Sequence, residues 1–210
     1  MLANVLKSLF KAGQTPRVLN VGGGSKSVAI PAHFAQWQHV LLDINPTGGV
    51  DIALDARRLH ELPPAAFDAV YCSHNLEHYY AHEVPRVLAG FAHILKNEGF
   101  VEVRVPDLGA LMAASVTRGL DIEDVLYVSP AGPISVRDVL YGFSTEIRRG
   151  NEHYAHKTGF TARSLAGLLA AAGFGHVYPL AELGVFELHV AAFRRRPDET
   201  LRSLLRLQGV

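Results

Sequence analysis

The chain has 210 residues, 49% hydrophobic and 19% charged, which is enough apolar material for one α/β domain and is not the composition of a disordered chain. Lys and Arg together number 20, as do Asp and Glu, so a formal charge of zero gives no electrostatic reason to expect nucleic acid as the partner. No apolar run approaches the ~20 residues of a membrane span, and the single cysteine, Cys72, excludes an intrachain disulfide and a four-thiolate zinc site and fits a reducing, cytoplasmic setting.

Residues 1–12 carry Leu2, Val5, Leu6, Leu9 and Phe10 at helical spacing, which predicts a short packed helix rather than a signal peptide. Arg17 to Val21 reads as a strand running into Gly22-Gly23-Gly24. A helix is expected after the glycines, over Ser27 to Gln36, with Pro31 delaying its start. Strands are expected at His39 to Leu42, ending at Asp43, at Val50 to Leu54, ending at Asp55, and at Phe67 to Cys72, where the cysteine reads as a buried structural thiol. Ala81 to Leu95 is helical in period, Asn97-Glu98-Gly99 is a turn, and Phe100 to Val105 is a fifth strand stopped by Pro106. Residues 107–160 break the alternation, with helical pieces at Leu108 to Arg118 and Val136 to Leu140. Thr161 can cap a helix over Ala162 to Ala172 that ends at Gly173. Strands near His176 to Leu180 and Val185 to Phe193 follow so closely that they must be antiparallel. The tail, 195–210, begins basic and continues with Leu201, Leu204, Leu205 and Leu207, the pattern of a surface helix or a contact in a homo-oligomer.

Strands alternating with helices predict one doubly wound domain with a mostly parallel sheet and an insertion at 107–160. Such sheets bind ligands outside the carboxyl ends of their strands, and those ends carry Gly22 to Gly24, Asp43, Asp55 and Ser73 to His78. Three kinds of glycine loop compete. A dinucleotide fingerprint needs Gly at 27, where Ser27 stands. A phosphate loop needs Gly at 20 and 25, where Asn20 and Ser25 stand. The third is the loop of S-adenosylmethionine enzymes. It is favoured because Asp43 follows the glycines by about twenty residues, where a carboxylate accepts from ribose hydroxyls. Asp55 and the Ala56 N–H are placed for adenine. Capping is the competing role for both aspartates.

The segments Val18 to Gly24, Leu41-Leu42-Asp43, Asp55-Ala56-Arg57, Phe67 to His78, Leu95 to Phe100 and His156 to Phe174 together resemble the class I S-adenosylmethionine-dependent methyltransferases, of the type 11 kind. The resemblance covers roughly residues 17–105 and 156–193. It implies a Rossmann-like seven-stranded sheet whose last strand is antiparallel. It also implies contacts to the methionine end of the cofactor from the Gly22-Gly23-Gly24 turn and from Ser73 or His74, to the ribose from Asp43, and to adenine from Asp55 and Ala56. Asn20 stands where the family usually has an acidic residue that orients the cofactor's amino group.

His74-Asn75-Leu76-Glu77-His78 also has the spacing of a His-x-x-Glu-His metalloprotease helix. That alternative is a metal-dependent hydrolase through His74, Glu77 and His78, with a further ligand from His153 or His156. The expectation adopted is that no metal is held and that these residues line the acceptor pocket: His74 and His156 as proton acceptors, and His78, Tyr141, Arg148 and His153 against a small-molecule or saccharide-type substrate. Arg149 and Lys157 are further candidates for an anionic substrate. The competing reading of the whole chain is a non-catalytic cofactor-binding or interaction protein of the same fold.

Overall fold

The computed structural model describes residues 15–129, 131–180 and 186–207; the expected N-terminal helix lies outside them. β1 (Arg17–Val21) is buried along its whole length. It pairs in parallel with β2 (Gln38–Asp43) on one side and β4 (Phe67–Ser73) on the other. β3 (Ile52–Ala53), two residues where five were expected, edges β2, and β5 (Leu95–Pro106) runs parallel to β4. The seven-stranded sheet has the order β3-β2-β1-β4-β5-β9-β8. Its β9 (Glu187–Phe193) is antiparallel both to β5 and to β8 (His176–Pro179). This is the Rossmann-like sheet with an antiparallel last strand that the sequence predicts. Asn97-Glu98-Gly99 is not a free turn. It lies inside β5, at a break in the register between Phe67↔Leu95 and Ala69↔Phe100.

The two faces of the sheet are covered differently. One receives α1 (Val84–Ile94), through Val84, Val87, Leu88, Phe91 and Ile94, and α5 (Ala162–Ala171), through Leu165 and Leu169. Thr161 caps α5 in a box with Ser164, as its position predicts. On the other face the helix expected over Ser27 to Gln36 does not form; only Ala32–Phe34 makes a 3-10 turn. Pro31 supplies no amide donor, and the Ser25 hydroxyl accepts from the Ser27 amide, a local bond that competes with helix. Phe34 instead stacks on Phe100 at 6.0 Å and meets Trp37 edge-on at 5.2 Å. The remainder of that face is covered by the tail after α6 (Glu199–Leu204): Leu201, Leu205 and Leu207 pack with Val18, Ala69 and Phe193. These three leucines are engaged within the chain, while Leu204 is exposed.

Residues 107–160 follow β5 and build a small core of their own around Leu111, Leu126, Val136 and Val139. Asp107 caps α2 (Leu108–Arg118) by accepting from the Gly109 and Ala110 amides. A hairpin of β6 (Val125–Ser129) and β7 (Gly132–Ser135) follows, which periodicity did not predict. Asp138 then ties α3 (Val136–Tyr141) to α4 (Ser144–Arg148) by accepting from the side chains and amides of Ser135 and Ser144. Burial pushes the Asp138 carboxyl up, but those four bonds outweigh it and bring its pKa to about 2.

Candidate functional site

At the carboxyl end of β1 the chain turns through Gly22 (φ +72°) and Gly24 (φ +66°), a conformation that glycine adopts without penalty. The Gly22 amide donates to the Leu42 carbonyl at 2.8 Å, and the Gly24 amide donates to Asp43 Oδ2 at 3.0 Å. A Cβ on Gly22 would lie 2.1 Å from Asn75 Nδ2 and one on Gly23 would lie 2.3 Å from Asn20 Nδ2, whereas one on Gly24 would meet nothing within 4 Å. The turn is thus closed by protein beneath and open above Gly24. Asn75 packs the Ser73–His78 segment directly against it.

Asn20, expected to contact the cofactor, lies against Gly23 within the turn. It is 2% exposed, and its amide nitrogen donates to His39 Nε2 at 3.2 Å. Burial, with Lys26 adding, lowers the His39 pKa, which keeps that ring an acceptor. Asp55 is likewise occupied. Its carboxylate caps the 3-10 turn Ala56–Glu61 through the Arg57 amide and holds the Arg57 guanidinium, which also reaches Glu83. Burial pushes the Asp55 carboxyl up, but the bonds from Arg57 hold it below its ordinary value. The capping role is realised here, and Ala56 beside it is buried.

β4 ends at Ser73, and His74 takes a left-handed backbone (φ +47°) with its amide bonded to the Arg104 carbonyl at 2.9 Å. Such strain in a residue other than glycine, of order 1–3 kcal/mol, concentrates at functional sites. The His74 ring is set between two carboxylates: Nε2 lies 2.6 Å from Glu187 Oε1 and Nδ1 lies 3.3 Å from Glu77 Oε1. Burial lowers its pKa, but the two carboxylates outweigh this and raise it to about 10, even though half of the side chain is exposed. Both ring nitrogens of His74 face carboxylates and the raised pKa favours the imidazolium, which argues against the proton-acceptor role the sequence suggests. Glu187, 113 residues away, was missed because its approach depends on the antiparallel register that places Pro106 opposite it.

The other histidines separate into two groups. His153 lies on an exposed 3-10 turn, Glu152–Tyr154. Tyr141 is 57% exposed and Arg148, also exposed, bonds only the Ser144 carbonyl within its own helix. Arg149 pairs with Glu146, and Lys157 Nζ sits 5.3 Å from the Tyr80 ring centroid. His156, by contrast, meets His78 with ring centroids 5.2 Å apart. Two contacts deliver it there. The Lys157 and Thr158 amides donate to the Glu77 carbonyl. Gly142 (φ +97°) lets the chain pass so close that a Cβ would lie 1.9 Å from the Tyr154 carbonyl oxygen. His78 Nδ1 donates to the Ala155 carbonyl at 3.1 Å and His156 Nδ1 donates to the Val139 carbonyl at 2.9 Å. Since a carbonyl only accepts, each Nδ1 carries a proton, and in the neutral tautomer so fixed the lone pair is on Nε2. Glu77 beside them is 1% exposed, and neither carboxylate oxygen has a hydrogen bond. The segment is a 3-10 turn, Leu76–His78, not a metalloprotease helix, and His74, held between Glu77 and Glu187, is not among the groups that converge with Glu77 and His78.

A family profile described as "Methyltransferase domain" matches residues 1–178. The chain belongs to that methyltransferase family. Among solved structures it is similar to a SAM-dependent methyltransferase from Archaeoglobus fulgidus, with 16% identity, 90% of this chain and 91% of that one covered, and a TM-score of 0.52. A S-adenosylmethionine-dependent methyltransferase from Mesorhizobium loti is similar in the same degree, with 16% identity, 90% and 95% covered, and a TM-score of 0.52. No curated protein matches significantly. The methyl donor that goes with this family and fold is S-adenosylmethionine.

The strand-end rim of the methyltransferase leaves open space for that donor over Gly24 and presents Asp43 at the end of β2, where its two oxygens accept from the Gly24 and Asn45 amides. The concave spaces between Asn97 and Leu201, one of about 290 Å³, lie at the amino ends of the strands, near Pro16 and Lys96, away from this rim. Burial pushes the Cys72 thiol well up, as befits a packed core residue. No helix among the described residues is long and apolar enough to cross a membrane.

Proposed function

We propose that the chain is an active methyltransferase that binds S-adenosylmethionine over the Gly22–Gly24 turn and methylates a small-molecule or saccharide-type acceptor. The observation that carries this reading is the open cradle at Gly24 with Asp43 at its side and the Ser73–His78 turn packed on Gly22 through Asn75. When bound, S-adenosylmethionine supplies a methyl group already activated on sulfonium, so the protein's task is to hold an acceptor oxygen or nitrogen in line at ~3–3.5 Å. In this reading the glycine turn and Asp43 hold the methionine and ribose portions and Ser73 borders the methyl group. Residues 107–160 cover the acceptor, with His78 and His156 at the inner wall and Tyr141 and Arg148 at the mouth.

Calorimetry with S-adenosylhomocysteine tests binding. The unmodified chain should bind, and Gly24→Val, a β-branched residue at positive φ in the open cradle, should bind at least about tenfold more weakly. No heat with the unmodified chain would sink the reading. Asn20 favours a second reading: with no acidic residue at that position and its amide turned to His39, the chain is a cofactor-binding protein without turnover. Binding without transfer of a labelled methyl group to any acceptor in a metabolite extract would decide for it.

A further inference from the structure

The cluster of Glu77, His78 and His156 has properties that neither packing nor the cofactor cradle explains. A Glu77 oxygen and one ring nitrogen from each histidine lie within 4.8 Å of one another. Each histidine has its Nδ1–H committed to a backbone carbonyl. This is the second-shell arrangement that fixes the tautomer and aims Nε2 in histidines that ligate metals. The third member is an ionisable carboxylate, 1% exposed, with both oxygens lacking a hydrogen bond. Such a group is expensive to bury unless a cation compensates it. Among the described residues the cation beside it is the His74 ring, whose Nδ1 is 3.3 Å from Oε1 and which is shared with Glu187.

We propose that Glu77, His78 and His156 form a site for a first-row divalent cation, and that this cation presents the acceptor as a hydroxyl compound to the methyl donor. Two neutral imidazoles and one carboxylate are the ligand set of catalytic zinc sites, which leave positions open for substrate. Ligands sharing one ion at ~2.0–2.2 Å stand roughly 3–4 Å apart, so side-chain rotations of about an ångström draw the three together. The site lies four residues along the chain from Ser73, and Asn75 between them packs on Gly22 of the glycine turn. A dication lowers the pKa of a hydroxyl it holds. The hydroxyl proton passes to solvent water, an oxygen lone pair forms the new bond to the methyl carbon, and the carbon–sulfonium bond breaks with its electron pair returning to sulfur. The products are a methyl ether and S-adenosylhomocysteine. The assignment of the acceptor rests on the methyltransferase reading; the metal site itself does not.

The test uses the full chain stripped with a chelator and titrated with Zn²⁺, Co²⁺ or Mn²⁺ alone, in parallel with S-adenosylhomocysteine. We expect one equivalent of Zn²⁺ or Co²⁺, a visible cobalt absorption band, and weakening by at least about tenfold in Glu77→Gln and in His156→Gln. His60→Ala, an exposed histidine elsewhere, should bind as the unmodified chain does, and S-adenosylhomocysteine affinity should be nearly unchanged in all three. Failure of the unmodified chain to bind any of the cations would overturn the site, as would undiminished binding in both glutamine variants. If those variants do not fold, the unmodified chain decides: a cobalt band supports the site and its absence overturns it. Metal binding without S-adenosylhomocysteine binding would retain the site and remove the methyltransferase reading. The converse result would retain that reading and remove the site.

Discussion

Two glutamates in this fold, Glu102 and Glu77, are buried beside histidines, and they are wired differently. Glu102, on β5, is fully buried. Its Oε1 receives His189 Nε2 at 2.7 Å and its Oε2 receives His33 Nε2 at 2.8 Å. Every strong acceptor position is used within the protein, and the arrangement pins the Ala32–Phe34 turn to a sheet face that lacks its expected helix. Glu77 lies beside three histidines: His74 Nδ1 is 3.3 Å from its Oε1, whereas His78 and His156 give their Nδ1 protons to the Ala155 and Val139 carbonyls. Composition alone therefore does not separate a structural cluster from a functional one. What sets the Glu77 cluster apart is that two of its three histidines give their Nδ1 protons to the backbone and not to the carboxylate.

The largest expected effect is on stability and tests this contrast directly. Glu102→Gln removes two charge-assisted bonds in a dry site and should cost about 2–3 kcal/mol. Glu77→Gln, measured without added metal, should stay within about 1 kcal/mol of the unmodified chain. Urea unfolding of both variants gives the comparison, and equal losses would mean that the two clusters are structurally equivalent. The pH dependence sharpens it. Burial pushes the Glu102 carboxyl up, and the bonds from His189 and His33 pull it further down, so its folded value lies below the ordinary 4.5. A depressed folded pKa contributes stability that is fully present above the unfolded value and is lost as pH falls through the folded one. The gap between the unmodified chain and Glu102→Gln should persist from neutrality to about pH 5 and close in more acid solution. A gap that widens toward acid pH would contradict the assigned ionisation.

A middle-sized effect belongs to the aromatic face that Glu102 anchors. Phe34 is 1% exposed between Trp37, Tyr71 and Phe100, and Phe34→Ala should cost on the order of 3 kcal/mol or somewhat less, because the short turn that carries it can partly collapse. Thermal unfolding measures the loss. S-adenosylhomocysteine affinity of the folded variant should be reduced only a few-fold, since the Gly24 cradle is ordered by Asp43 and not by this turn.

Local signals carried much of the fold. The glycines after β1, the aspartates after β2 and β3, Asp107 before α2 and Thr161 before α5 each act within a few residues of themselves, and each was readable in the chain. The helix expected over Ser27 to Gln36 failed for a physical reason: Ile30, Phe34 and Trp37 mimic an amphipathic stripe, yet Pro31 and the serine side chains spend the backbone bonds elsewhere. At the site, the meeting of the His74–His78 turn with the segment ending at His156 was anticipated, but its internal wiring was not. His74 was assigned a free lone pair because Glu187 joins it across 113 residues. The isolation of the Glu77 carboxylate is a property of its surroundings, so neither the residue nor its spacing discloses it.

The smallest expected effects fall on the residues at the mouth of the insertion. Tyr141 is 57% exposed and Arg148 bonds only within α4, so neither is held by the packing that fixes His78 and His156. Tyr141→Ala and Arg148→Ala should each leave unfolding free energy within about 0.5 kcal/mol, the usual range for surface changes. Each should also leave S-adenosylhomocysteine affinity unaltered. If these side chains meet the acceptor, they do so at a solvated rim, where single contacts contribute little. Once an acceptor is in hand, the change should appear as a rise of a few-fold in KM with kcat nearly constant, because uniform binding is lost and not transition-state stabilisation. The contrast with the inner wall then becomes measurable: loss in kcat for Glu77→Gln or His156→Gln, loss in KM for the rim variants. A rim substitution that lowers kcat and leaves KM unchanged would move Tyr141 or Arg148 inward to the reacting atoms and break the division between a fixed wall and an adjustable mouth.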